Sequence, residues 1–270
     1  MRFSTISLGA LMLAATATPA FADDAPTAPP PAITINGSAT VVTDYRFRGV
    51  SQTDKNVAIQ GSITLTHESG LYVSVWGSSV DSYVTASFAA HQEVDIIAGY
   101  SKTFSGTKID GGVLYYVYPK TKVIPALLGI PDNSSSNFFE PYFDISHTFG
   151  PVTAKATVNY AWKQKALGLC QGGCGDAKQD NVYLAGDFSG AIPNTPVGLT
   201  AHIGHTWGPS WLAVGANPKG EYTDWSLGAT YTWKSLTFGV SYVDTDAHYF
   251  TTAGTDAAKA GVVGTIGVSF

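Results

Sequence analysis

Ala260-Gly-Val-Val-Gly-Thr-Ile-Gly-Val-Ser-Phe270, the end of the chain, alternates small or polar side chains with apolar ones and stops on an aromatic ring. Successive side chains of a strand point to opposite faces. Val262, Gly264, Ile266 and Val268 therefore share one face, and Gly261, Thr265 and Ser269 share the other. One face suits lipid and the other suits water. A free chain end in water gains little from a bare phenylalanine, because termini fray, whereas the aromatic girdle of a membrane barrel has a use for it. The stretch reads as the last strand of an outer-membrane β-barrel, with Phe270 as the terminal residue that barrel assembly machinery is expected to engage.

The opposite end fits an exported chain. Residues 1–22 contain Arg2, an apolar run over residues 6–17 and Ala20-Phe-Ala22 ahead of Asp23-Asp24. This is the pattern of a Sec signal peptide cleaved after Ala22, its apolar run shorter than the roughly 20 residues of a spanning helix. Without Arg2 the mature chain carries 15 − 1 = 14 basic and 20 acidic residues, a net charge of −6. That balance excludes nucleic acid as a partner, since phosphate binding needs a basic surface. Charged residues are only 13% of the chain, against about 25% in soluble proteins, so much of the surface is expected to face something other than water. No mature stretch is apolar for about 18 residues, which leaves a closed barrel as the spanning structure, with every backbone group paired inside the protein.

Residues 23–32 form a Pro-rich tail that cannot join a ladder. Beyond it, alternation predicts a barrel over residues 33–270. Its twelve segments are 33–45, 56–66, 70–79, 91–103, 108–118, 138–149, 151–163, 180–188, 196–207, 222–233, 235–244 and 260–270. The connections alternate in length. Short turns follow even-numbered segments, and long loops (46–55, 80–90, 119–137, 164–179, 208–221, 245–259) follow odd-numbered ones. An all-β, up-and-down antiparallel transmembrane barrel has this asymmetry, with short turns in the periplasm. An even strand count then puts both termini there.

Aromatics on the apolar faces gather near segment ends: Tyr45, Trp162, Trp207 and Tyr242 on the loop side, Phe149, Phe188, Trp233 and Phe270 on the turn side. Two such belts match the two girdles of a membrane barrel. The polar faces carry Asp44, Glu93, Asp95, Asp110, Glu140, Asp144, Asp187 and Asp224 against few bases, chiefly Arg46, Arg48 and Lys155. Two readings of these candidate lumen residues stay open. Either they line a water-filled, cation-favouring lumen, with Arg46 and Arg48 facing acids across a constriction, or they pair with one another and plug the barrel. Twelve strands fall between filled eight-stranded and open sixteen-stranded barrels.

The loop over residues 119–137 contains the apolar run 123–131, which either folds inward as a lid or packs outside. Cys170 and Cys174, separated by glutamine and two glycines in an exported chain, are expected to form a small local disulfide. His67 and Ser69, with Glu93 as orienting acid, have the spacing of a lipid A deacylase, but they fall in a short turn on the wrong side of the membrane for that substrate. His202 and His205 are three apart on a strand and point to opposite faces, against a shared metal. The stretch 244–248 reads as a polar loop. No catalytic, cofactor or metal set emerges.

The stretch Thr43-Asp-Tyr-Arg-Phe-Arg-Gly-Val-Ser-Gln-Thr53 resembles the signature of the TorF-type porin family, also called Gcw-chp. The resemblance continues through His67-Glu-Ser-Gly-Leu-Tyr72, Glu93-Val-Asp-Ile-Ile-Ala-Gly-Tyr100, Tyr116-Val-Tyr-Pro119 and Tyr222-Thr-Asp-Trp-Ser-Leu-Gly228. It implies an outer-membrane barrel with no assigned site residues. The expected function is passive diffusion of small hydrophilic solutes, with outer-membrane lipid as the surrounding partner. A non-conducting barrel whose external loops bind a ligand is the alternative, and a lipid-modifying enzyme is a weaker one. If the cysteine bridge is present, reduction should add two hydrogens to the intact mass of the mature chain, and an unchanged mass would remove it.

Overall fold

The computed structural model describes residues 32–85, 90–119, 135–168, 178–208, 212, 220–251 and 253–270. The expected signal peptide, most of the Pro-rich tail, the apolar run of the third long loop and both cysteines lie outside the described residues.

Twelve strands close a single antiparallel barrel. They are β1 (Ile33–Val42), β4 (Ala58–His67), β5 (Leu71–Ser79), β6 (Gln92–Phe104), β7 (Thr107–Val117), β8 (Phe138–Phe149), β9 (Val152–Gln164), β10 (Gln179–Ala191), β11 (Val197–Trp207), β12 (Glu221–Trp233), β13 (Leu236–Thr245) and β14 (Gly261–Ser269). Each pairs with its sequence neighbour in the barrel, and β1 also pairs with β14. A two-residue pair, β2 (Arg46–Phe47) and β3 (Val50–Ser51), forms a separate hairpin within the first long loop. Among the described residues no helix is long and apolar enough to cross a membrane, so any crossing is made by strands.

Turn chemistry explains the short end. Ser105 and Gly106 both have positive φ, 45° and 82°, as a two-residue turn matching the twist of its strands requires. Gly70, Gly150 and Lys234 take the same left-handed region at three other short connections. Strand β1 begins and β14 ends at this end too, because Ile33 pairs with His67 beside the first short turn and Phe270 bonds Gly37.

Alternation sorts the side chains as expected. Ile35, Ile59, Val73, Ile145, Leu227, Val262 and Ile266 are exposed on the outer face. Thr64, Ser74, Glu93, Asp110, Asn159, Ser226 and Thr265 are buried on the inner one. An outer face this apolar would be costly in water and suits a lipid surround. Trp162, Trp207, Tyr242, Phe149, Phe188, Trp233 and Phe270 are exposed on the outer surface. Tyr45 departs from this belt. Strand β1 ends at Val42, earlier than the alternation implies, and Tyr45 turns inward to 3% exposure, its hydroxyl donating to Glu93.

The seam depends on one small residue. Phe270 N–H donates to the Gly37 carbonyl at 3.0 Å, the Phe270 carbonyl accepts from the Gly37 N–H at 2.8 Å, and the Phe270 ring lies over Gly37. A Cβ on Gly37 would stand 2.6 Å from that ring. A Gly37→Val barrel should lose about 1–3 kcal/mol through overpacking at the seam. The midpoint of heat-modifiable gel mobility reports this, and a midpoint equal to wild type would show that the ring is not seated there.

Candidate functional site: a polar lumen plugged by the first loop

The hairpin starts from local sequence. Phe47-Arg48-Gly49-Val50 is a two-residue turn, with φ of 47° at Arg48 and 80° at Gly49. Positive φ at both centres demands glycine, asparagine or aspartate by preference. Gly49 meets that demand, and its missing Cβ also lets the backbone approach Asp224 and Thr245, whose Cβ atoms would lie 2.8 and 2.9 Å from an added carbon. Arginine in the left-handed region costs about 1–2 kcal/mol. Contacts of the guanidinium hold it there.

Asp44 and Arg46 build the base of the hairpin. Asp44 accepts from Arg46 Nε at 2.6 Å, Ser51 Oγ at 2.6 Å and Thr53 Oγ1 at 3.3 Å. Arg46 Nη1 donates to the carbonyls of Gly49, Ala257 and Lys259, at 3.0, 3.2 and 3.0 Å. The hairpin is thereby fastened to the last long loop. Tyr83, from the second long loop, donates to the Ser51 carbonyl, and burial pushes its phenol up to about 12, so it remains a donor.

Arg48 carries the tip to the barrel wall. Nη2 donates to Glu140 Oε1 at 2.7 Å and Nη1 to Asn181 Oδ1 at 3.0 Å, with the pair exposed by only 2% and 0%. Glu140 also accepts from Tyr116 and Asn159. The guanidinium stacks 4.1 Å from the centre of the Tyr183 ring. The hydroxyl end of that ring rests where a Gly204 side chain would be. Glycine on β11 thus makes room for tyrosine on β10, and tyrosine makes the platform for arginine.

From Tyr183 the polar chain descends along the wall. Its hydroxyl bonds Asp224, His202 bridges Asp224 at 3.0 Å and Asp187 at 2.7 Å, and Lys155 completes the chain on Asp187 at 2.9 Å. Two carboxylates on the two ring nitrogens suit an imidazolium, whose N–H groups both donate. On another part of the wall Lys108 pairs with Asp110 at 2.9 Å, and Asp110 accepts from Tyr72 at 2.7 Å, with Tyr142 touching the same hydroxyl. Asp144 is buried on β8, opposite Thr157 of β9.

The candidate residues therefore all lie within the barrel wall or the hairpin, but they divide into distinct groups. Arg46 and Arg48 form no common cluster: one braces the hairpin and the other anchors its tip. Glu93 and Asp95 lie near the loop end of β6 and form no ion pair among the described residues. Around them Tyr45, Trp76, Tyr116, Tyr118 and Phe138 are buried in the lumen, so its loop half is packed rather than hollow. Asn181, Tyr183, His202 and Lys108 belong to the network although alternation alone does not single them out. The parity that puts Asp187 on the inner face of β10 also puts Asn181 and Tyr183 there.

The histidines separate in a similar way. His67 Nδ1 lies 2.9 Å from Ser69 Oγ in an exposed turn, while Glu93 bonds Tyr45 at the opposite end of the barrel. Those three residues are not brought together. His205 faces outward against Trp207 at 4.3 Å, away from the inward His202. Among the described residues no three His, Cys, Asp or Glu side chains converge as a metal-ligand set.

Solved structures similar to this chain include outer-membrane porins and channels. The NanC porin superimposes with a TM-score of 0.55 at 13% identity, over 88% of this chain and 99% of that one. The KdgM porin in complex with oligogalacturonate gives 0.48 at 10%, over 87% and 97%. An outer-membrane channel of Pseudomonas putida F1 gives 0.46 at 10%, over 92% and 99%. No curated protein matches the sequence. The family described as "Bacterial protein of unknown function (Gcw_chp)" matches residues 25–270, and the chain belongs to that family.

Proposed function

We propose that the protein is an outer-membrane channel for passive diffusion of small hydrophilic solutes, with a preference for cations, closed at rest by its first loop. The observation that carries this reading is a charged inner wall enclosed by a barrel whose outer face is apolar and ringed by aromatics. Such a wall is wasteful unless water and solutes reach it. Export by the Sec route with cleavage after Ala22, both termini in the periplasm, insertion by barrel assembly machinery through Phe270 and a Cys170–Cys174 bridge belong to the same reading.

The Asp44–Thr53 stretch is the closing device. It fills the loop half of the lumen, and passage requires the hairpin to leave its berth. The Arg48–Glu140 pair keeps it seated. Removing one partner of a buried pair costs about 3–5 kcal/mol, because the other charge is left uncompensated. The paired variant Arg48→Gln with Glu140→Gln keeps hydrogen-bonding groups and removes both charges. It should fold, and in a planar bilayer it should conduct more often than wild type. A barrel with residues 46–51 replaced by glycine and serine should stay open.

A second reading has a specific observation in its favour. Arg48 and Glu140 are exposed by only 3% and 0%, as in a permanently closed interior. In that case the barrel does not conduct and its external loops bind a ligand. A folded, hairpin-shortened barrel that passes no current would select this second reading and reject the channel.

Cation preference has its own measurement. Asp187 is the most exposed of the paired wall acids, with 33% side-chain exposure beside Lys155. In a salt gradient, Asp187→Asn should move the reversal potential of the opened barrel toward that of a non-selective pore. A shift toward greater cation preference would contradict the assigned role.

A further inference from the structure

Charge accounting around the lumen leaves one pair of acids over. Asp44 is matched by Arg46, Glu140 by Arg48, Asp110 by Lys108, Asp187 by Lys155 and Asp224 by His202. Asp144 lies diagonally across the β8–β9 pair from Lys155. Glu93 and Asp95 have no such base among the described residues. They stand two apart on β6, on the same inner face, and are exposed by 2% and 0%. Tyr45 donates to Glu93 Oε1 at 2.8 Å. Both carboxylate oxygens of Asp95 are buried without a hydrogen-bond partner.

A carboxylate in that condition is costly. Its desolvation amounts to several kcal/mol even after the surroundings relax, and the unmade hydrogen bonds add to that. The neighbours do not relieve it. Trp76 and Tyr116 are the residues paired with Asp95 on the two adjacent strands, and both rings are buried. Tyr45 packs edge-on to Trp76 at 5.5 Å, and Phe138 stacks on Tyr116 at 4.3 Å. An aromatic wall with two uncompensated carboxylates inside it has the charge and donor atoms of a cation site.

We propose that Glu93 and Asp95 bind a hard divalent cation of the calcium type, enclosed beneath the first-loop hairpin. Among the described residues the donors are oxygen: two carboxylates and the phenols of Tyr45 and Tyr118 on Glu93. Oxygen donors select hard cations, and two negative charges match one divalent ion. Calcium accepts irregular coordination, whereas magnesium demands a near-ideal octahedron and keeps its water, for which this packed wall has little room. Two carboxylates are fewer than a dedicated high-affinity site uses, so binding belongs in about the 0.1–1 mM range. Bound there, the ion would lock the β6 wall against Tyr45, and with it the hairpin. The site does not depend on whether the barrel conducts.

Terbium is the direct probe, because it occupies calcium sites and is excited through nearby aromatic rings such as Trp76. The full-length mature barrel, folded in detergent and stripped with EDTA, should show sensitised TbCl3 luminescence that CaCl2 displaces. Asp95→Asn should weaken that signal at least about tenfold, and Asp246→Asn, in an outer loop, should leave it intact. Thermal unfolding supplies an independent reading. In EDTA the Asp95→Asn barrel should melt above wild type, because a buried charge has been removed; in CaCl2 wild type should rise and the variant should not. Equal melting of wild type in EDTA and CaCl2, or full luminescence from folded Asp95→Asn, would overturn the proposal.

Discussion

Closure of the backbone ladder is the constraint on which the rest of the molecule depends. Strand β1 bonds β4 on one side and β14 on the other, so neither has an open edge. A membrane span without water permits no unpaired backbone groups, and a sheet meets that demand only by closing. Closure with twelve strands then sets the interior: too wide for wall side chains alone to fill as in an eight-stranded barrel. Something else has to occupy it or water will. Here the loop half is occupied by the first long loop, together with tyrosines from the wall.

The charges inside the barrel act less as a source of stability than as a positioning system. Buried ion pairs are often no better than apolar side chains of the same size, yet each is costly to break. That asymmetry suits a plug with one allowed seat. Arg48 accepts a strained backbone because its guanidinium meets Glu140, Asn181 and the Tyr183 ring together. Gly204 behind Tyr183 and Gly49 beside Asp224 are the voids into which these groups fit. The hairpin sequence and the wall sequence are therefore one design, although about ninety residues separate Arg48 from Glu140.

Much of this was legible in the sequence, and the limits have physical causes. A strand of ten residues repeats its inside-outside choice at every step, so a single error would have exposed a charge to the outer face. Strand positions such as 138–149 were readable for that reason. Tyr45 was not. Its alternation continues that of β1, but Asp44 gathers donors from Arg46, Ser51 and Thr53 and turns the chain inward. Arg46 and Arg48 share a parity and a motif, and only the turn centred on Arg48 and Gly49 sends them to different partners. The two-residue turn at Arg48-Gly49 had a signal, an arginine and glycine between Phe47 and Val50, which a search for spanning strands passes over because the hairpin is too short to cross anything.

The sequence by itself determined the architecture: strand number, the alternation of short turns and long loops, the outer apolar belt, and which acids face inward. These follow from a period of two and a chain that must pair every backbone group, both local properties. Only the tertiary structure decided what the inward acids do. Pairing of Glu140 with Arg48, bridging of Asp187 and Asp224 by His202, and the isolation of Asp95 depend on which strand tilts beside which and on a loop folding back through the barrel. Those distances arise when the ladder closes. No local pattern encodes them.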